Sequence, residues 1–211
     1  MPFPVTSPIP PQVRAAAPAD GAGFWARSRY RIWQFIRGWR AEVSTADRAE
    51  AACILAPPAQ ALFAHMPVDA QAHSLRVLHA LQTEDPDLPN DVAAAALLHD
   101  VGKTAALEQG AYLGLWLRGP IVLVEAVCPA WLQRWASPKP GPTLRYAIYV
   151  QLEHARIGAE QAAAAGCSPL TCWLIAQHQT ASEPGGPTGT PAETELARLY
   201  LARLQAADGK H

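Results

Sequence analysis

Ala93-Ala94-Ala95-Ala96-Leu97-Leu98 is an uncharged stretch with no side that prefers water, and His99 and Asp100 follow it directly. Alanine and leucine are strong helix formers, and a helix apolar all round is buried. Two polar side chains are therefore carried to the end of a core element. Neutral imidazole and carboxylate together suit a divalent transition metal. Asn90 reads as the N-cap of this helix and Asp91 as a first-turn acid that complements the dipole. Gly102 reads as its stop, through a positive φ. His99 and Asp100 are thus expected at the last turn of a core helix, facing whatever cavity the fold provides.

The rest of the chain is patterned for helix. Ser44 and Asp47 are spaced as a capping box for a helix reaching about Leu55, after which Pro57 and Pro58 intervene before a short helical turn through Phe63 and His65. Val68 to Thr83 places Leu75, Leu78 and Leu81 on one side, with His73 able to face inward beside them and His79 off that face. Leu144 to Ala165 is helical and Gly166 stops it; Ser168-Pro169 opens a helix over Leu170 to Gln179, and a last helix covers Ala192 to Ala207. Tyr112 to Trp135 is the most apolar segment, but Arg118, Gly119-Pro120, Glu125 and Pro129 interrupt it, so a core helix or helix pair is expected and not a membrane span. No strand pattern exceeds a few residues, and the fold class is an all-α bundle.

The chain of 211 residues is long enough for one domain with an appendage. Residues 1–22 are a Pro-rich tail expected to be disordered, without the marks of a secretory signal. Residues 23–56 form a helical extension packed on the core, and residues 57–211 the main domain. Between Phe24 and Val43 an apolar stripe is interleaved with Arg27, Arg29, Arg31, Arg37 and Arg40. That mixture either packs on the domain with a solvated basic face or grips nucleic acid or a membrane surface. The formal net charge of −1 leaves no global field for an anionic partner, so phosphate recognition must be local. Cys53, Cys128, Cys167 and Cys172 show no CxxC spacing and read as reduced, mostly buried thiols of a cytoplasmic protein.

Four further residues extend the His99-Asp100 pair. His73 stands in Ala72-His73-Ser74-Leu75-Arg76-Val77, His154 in Glu153-His154-Ala155-Arg156-Ile157-Gly158, His178 in Ile175-Ala176-Gln177-His178-Gln179, and Asp208 after Leu204-Gln205-Ala206-Ala207. The order His, His-Asp, His, His, Asp over about residues 60 to 208 resembles the HD-domain superfamily of metal-dependent phosphohydrolases. The resemblance implies an HD-domain-like helical bundle over residues 57–211 and a two-metal site. In it His73, His99, Asp100 and Asp208 hold one cation, while His154 and His178 hold a second that Asp100 bridges. Ionisable groups on apolar helical faces are costly to bury alone, and a shared metal removes that cost. Nitrogen and oxygen ligands do not distinguish Fe, Mn, Co, Ni and Zn.

The same resemblance implies hydrolysis of a phosphoester or phosphoanhydride by a metal-bridging hydroxide, with Asp100 and Lys103 catalytic and Lys103 at the phosphate. Arg76 and Arg145 are further candidates for substrate charge. Cyclic-dinucleotide members carry a second His where Gln179 stands and a GYP signature that is missing after Lys103. The pattern is nearer to small members acting on nucleotides or dinucleoside polyphosphates, so the expected partner is a small, nucleotide-like phosphorylated substrate. A non-catalytic ligand-sensing module on the same helices is the alternative, and a hydrolase with residues 24–40 as a nucleic-acid docking arm is a third. The sequence sets no oligomeric state.

Overall fold

Every regular element in the computed structural model is helical among the described residues, which are 42–111, 128–180 and 190–210. They belong to a unit spanning residues 40–211. The Pro-rich tail, the Arg/Trp stretch from 24 to 41, the apolar segment 112–127 and most of the Pro/Gly loop after Ser182 lie outside the described residues.

Helix α1 (Thr45–Ile54) begins with the expected capping box: Ser44 Oγ accepts from the Asp47 N–H at 3.1 Å, and Asp47 Oδ2 accepts from the Ser44 N–H at 2.9 Å. Helix α2 (Pro57–His65) starts on two prolines, which need no partner for a missing N–H. Helix α3 (Val68–Glu84) buries Leu75, Leu78 and Leu81 as the spacing predicts. Helix α4 (Asn90–Leu98) is buried at every position from Val92 to Leu98, because α3 on one side and helix α8 (Pro169–Gln177) on another leave it no wet face. Its N-cap is Pro89 and not Asn90. The Asn90 amide instead donates to the Ile54 carbonyl at 3.0 Å, joining the start of α4 to the end of α1.

Beyond Leu98 the chain passes through His99 and Asp100 into a 3₁₀ turn, Val101–Lys103, and helix α5 (Thr104–Glu108). Gly102 does not have the positive φ expected of a stop; it lies inside that turn. Its lack of a side chain serves close packing instead. A Cβ there would overlap the His154 carbonyl oxygen and fall 2.6 Å from the Gly158 nitrogen, both on helix α7 (Leu144–Ala164).

Helix α6 (Pro129–Trp135) precedes α7, which Gly166 terminates at φ 80°. Ser168 caps α8 through the Thr171 N–H at 3.1 Å, and Thr171 Oγ1 donates across to the Asp91 carbonyl at 2.9 Å, tying α8 to α4. Helix α9 (Pro191–Lys210) runs past the expected end at Ala207, so Asp208 sits within a helix rather than on a loose terminus. Two apolar clusters result, a large one around α4 and a smaller one joining α5, α6 and α7.

All four cysteines are free thiols, but Cys53 and Cys128 are exposed and Cys167 and Cys172 half-buried, contrary to the expectation of mostly buried thiols. On α1 the core face is set by Ala51 and Leu55, four residues apart, which turns Cys53 outward. No helix among the described residues is long and apolar enough to cross a membrane.

Candidate metal centre

Six side chains far apart in sequence meet at one place. His73 comes from the middle of α3, His99 and Asp100 from the end of α4, His154 from the middle of α7, His178 from the end of α8 and Asp208 from the last turn of α9. His99, His154 and His178 are 0%, 0% and 3% exposed. The His73 and His99 ring centroids are 5.3 Å apart, those of His99 and His178 5.2 Å, and those of His154 and His178 5.4 Å.

The six divide into two triads of ligand-grade atoms, His73, His99 and Asp208 in one, Asp100, His154 and His178 in the other, each with its atoms within 4.8 Å of one another. In the first, Asp208 Oδ1 is 2.8 Å from His73 Nε2 and 3.5 Å from His99 Nε2. In the second, Asp100 Oδ1 is 3.3 Å from His154 Nε2 and 3.9 Å from His178 Nε2. The other oxygen, Asp100 Oδ2, lies 3.9 Å from His99 Nε2 and 2.7 Å from Lys103 Nζ. Asp100 therefore stands between the triads with one oxygen toward each.

Hydrogen bonds to helix backbone fix the tautomers of the three buried rings. His99 Nδ1 donates to the Ala96 carbonyl at 2.9 Å, His154 Nδ1 to the Gln151 carbonyl at 2.7 Å, and His178 Nδ1 to the Ile175 carbonyl at 2.7 Å. A carbonyl only accepts, so each Nδ1 carries the proton and each Nε2 presents a bare lone pair. None of these three buried Nε2 atoms has a hydrogen-bond partner among the described residues. Lone pairs facing carboxylate oxygens at 3.3 to 3.9 Å repel unless a cation stands between them. A divalent metal meets that need, and the backbone ties on the far ring nitrogens are the support that metal-ligating histidines ordinarily have.

At His178 a proton is the poorer candidate. Burial pushes the His178 imidazole down to about 4, with the neighbouring His99 adding to the effect and Asp100 opposing it, so this ring stays neutral near pH 7. Burial also works against charge on His99, but Asp100 and Asp208 outweigh it and raise that ring. Burial opposes ionisation of Asp100, yet Lys103, His99 and His154 hold its carboxyl well below the usual range. Asp208 is likewise depressed, its burial outweighed by its hydrogen bond with His73 and by the nearby His99 ring. Two carboxylates beside the neutral imidazole of His178 make a donor set suited to divalent cations.

A cleft of about 180 Å³ opens beside the centre, with His73, Asp100 and Lys103 among its lining residues. Small apolar side chains, Ala70, Ala106, Ala111, Ala147 and Val150, form much of the wall. Asp69 and Gln151 also line it. Sequence reasoning did not single these two out, although each sits one helical turn before a histidine of the centre, His73 or His154, on the same helix. Arg76 is half-buried on α3 one turn beyond His73 and is not among the described residues lining the cleft. Arg145 is exposed and donates through Nε to the Trp135 carbonyl at 2.8 Å, which commits it to the junction of α6 and α7. His65 and His79 lie apart from the centre and pair with Glu108 and Glu50. No protein-family model matches the chain, and no curated protein and no solved structure matches it.

Proposed function

We propose that this chain is a metal-dependent phosphohydrolase of the HD type, cleaving a phosphoester or phosphoanhydride in a small, nucleotide-like substrate. The observation that carries the proposal is the convergence of three buried, partnerless Nε2 lone pairs on two ionised carboxylates. His73, His99 and Asp208 would hold one cation, His154 and His178 the other, and Asp100 both. Bound divalent cations supply water activation near neutral pH and charge withdrawal at phosphorus.

The chain's own groups do the rest. The Nδ1 bonds hold His99, His154 and His178 in one tautomer and one orientation, so that these three rings need no reorganisation when a cation enters. Lys103 lines the cleft as a compact positive charge and neutralises a phosphoryl oxygen there. The small apolar side chains on one part of the wall lower the local polarity, which strengthens charge interactions beside them.

Metal analysis of the purified full-length protein should find about two transition-metal ions per chain, matching a two-metal hydrolytic centre. Bis-p-nitrophenyl phosphate should be turned over, and Asp100→Ala should lose both the metals and the turnover. Protein that stays inert after loading with Mn or Fe, across a panel of nucleotides as well, sinks the hydrolase assignment in favour of a ligand-sensing module.

A further inference from the structure

Helix α6 is anchored by Leu132, 1% exposed, in the apolar cluster it shares with Tyr146 and Ala147. Trp131 and Trp135 are a helical turn apart on its outer side, and remain 56% and 40% exposed. Their rings stack on each other, centroids 6.0 Å apart and planes 10° from parallel. Leu144, 39% exposed, adjoins this corner, because the Ser137 N–H donates to the Arg145 carbonyl and Arg145 Nε to the Trp135 carbonyl.

Charge along this stretch of the chain is one-sided, although Glu108 on α5 lies near Tyr146. From residue 126 to residue 152 the chain carries Arg134, Lys139 and Arg145 and no Asp or Glu, in a protein whose formal net charge is −1. All three cations are exposed, and neither Arg134 nor Lys139 has an ion-pair partner among the described residues. Indole favours the boundary between water and hydrocarbon, where its ring is out of water and its N–H still solvated. Surrounding cations favour anionic headgroups.

A single-stranded nucleic acid would ask for open ring faces on which bases stack. Here each indole already gives one face to the other, and aliphatic Leu144 completes the apolar surface. We infer that the corner between α6 and α7, with Trp131, Trp135 and Leu144 at its centre and Arg134, Lys139 and Arg145 around them, docks on an anionic lipid surface. Ala106, Ala111 and Ala147 belong to the cluster that anchors α6 and also line the cleft, so docking would bring the cleft close to the membrane.

The test is co-sedimentation of the full-length protein with vesicles of phosphatidylcholine alone and of phosphatidylcholine mixed with phosphatidylglycerol, alongside a single-stranded polynucleotide as competitor. Binding should require phosphatidylglycerol and survive the competitor. Trp131→Ser with Trp135→Ser should weaken it at least about tenfold, given the area of two indoles. Arg134→Glu with Lys139→Glu should weaken it by more than about 25-fold, roughly fivefold for each lost cation. Vesicles with brominated acyl chains should quench tryptophan fluorescence in the wild type and markedly less in the Trp131→Phe, Trp135→Phe variant. All of these substitutions are at exposed positions, and unchanged thermal melting certifies the fold. Failure to bind phosphatidylglycerol vesicles, binding that ignores the substitutions, or displacement by the polynucleotide through the same residues overturns the assignment. Vesicle binding is read without metal or substrate, so its failure is distinct from failure of the hydrolase proposal.

Discussion

Gly102 meets His154 backbone to backbone, with room for a hydrogen and none for a methyl group. That approach fixes the distance between the turn carrying His99 and Asp100 and the helix carrying His154. A substituent at position 102 must push the turn off α7, since the obstacle is a carbonyl oxygen and an amide nitrogen rather than a side chain that can rotate away. Gly102→Ala should destabilise the protein by about 3 kcal/mol, the upper range for overpacking. It should also lower metal content. Gly158→Ala is milder, because its nearest neighbours would be the Gly102 nitrogen at 3.1 Å and side-chain methyls of Ile175 and Val101 at 3.3 Å. Thermal melting and metal analysis of both variants check the ranking, and a Gly102→Ala protein as stable and as metal-rich as the wild type refutes it.

The division into triads predicts separable losses. His178→Ala removes a ligand from the group containing His154 and leaves His73, His99 and Asp208 intact. Metal content should fall to about one ion per chain, since His73, His99 and Asp208 together with Asp100 still offer the remaining ion four ligands. Asp208→Asn should remove the opposite ion. Asp100→Ala, which faces both groups, should remove both. Equal losses in the His178 and Asp208 variants with both ions gone would show one shared site instead of two. Each variant's metal count, by elemental analysis after gel filtration, decides the matter.

The six converging residues were legible because helix periodicity and chain order together exposed them. His73 shares the inward side of α3 with Val77, and His99 and Asp100 end a run that has no reason to meet water. The backbone ties were not legible. Ala96, Gln151 and Ile175 matter through carbonyl groups, which every residue has, so no side-chain pattern announces them. Gly102 was legible as special and misread as to why: its neighbour is more than fifty residues away in sequence, and a local rule about helix ends answers a different question. Asn90 likewise has capping chemistry, but Pro89 occupies the cap and the amide is spent on α1.

Metal-free protein should lose stability in acid. Asp100 and Asp208 have depressed folded-state pKa values, so their contribution is present above about 4 and is lost as pH falls through the folded values. His178 is lowered from 6.5 to about 4, so the unfolded chain takes up a proton below about 6.5 that the folded ring refuses until about pH 4. That contribution also shrinks on acidification. The raised pKa of His99 runs the other way: its contribution is whole below about 6.5 and is lost as pH rises through the folded value. Between about pH 6.5 and pH 4 the His178 contribution is the one of these that changes, so the melting temperature falls across that window, and it falls further below about pH 4 as the two carboxylates take up protons. Scanning calorimetry of chelator-treated protein checks the slope, and a melting temperature that rises toward pH 4 contradicts it.

On the proposed function, Lys103 should separate catalysis from metal binding. Its ammonium pairs with Asp100 at 2.7 Å and lines the cleft, but it is 37% exposed, and such a pair is worth at most about 1 kcal/mol of stability. Lys103→Met should therefore melt close to the wild type. Its carboxylate partner loses the strongest of the influences that favour ionisation, so Asp100 becomes easier to protonate and metal loading should fail at a higher pH than in the wild type as the solution is acidified. At neutral pH both metals should remain. Turnover of a phosphodiester should nevertheless fall by about 100-fold, because a positive charge aimed at the phosphoryl oxygens acts mainly where negative charge builds up in the transition state. Lys103→Arg should recover part of that loss, its larger fork fitting the same charge less well. Full activity in Lys103→Met with both metals bound would reduce Lys103 to a solvated side chain at the end of a helical turn.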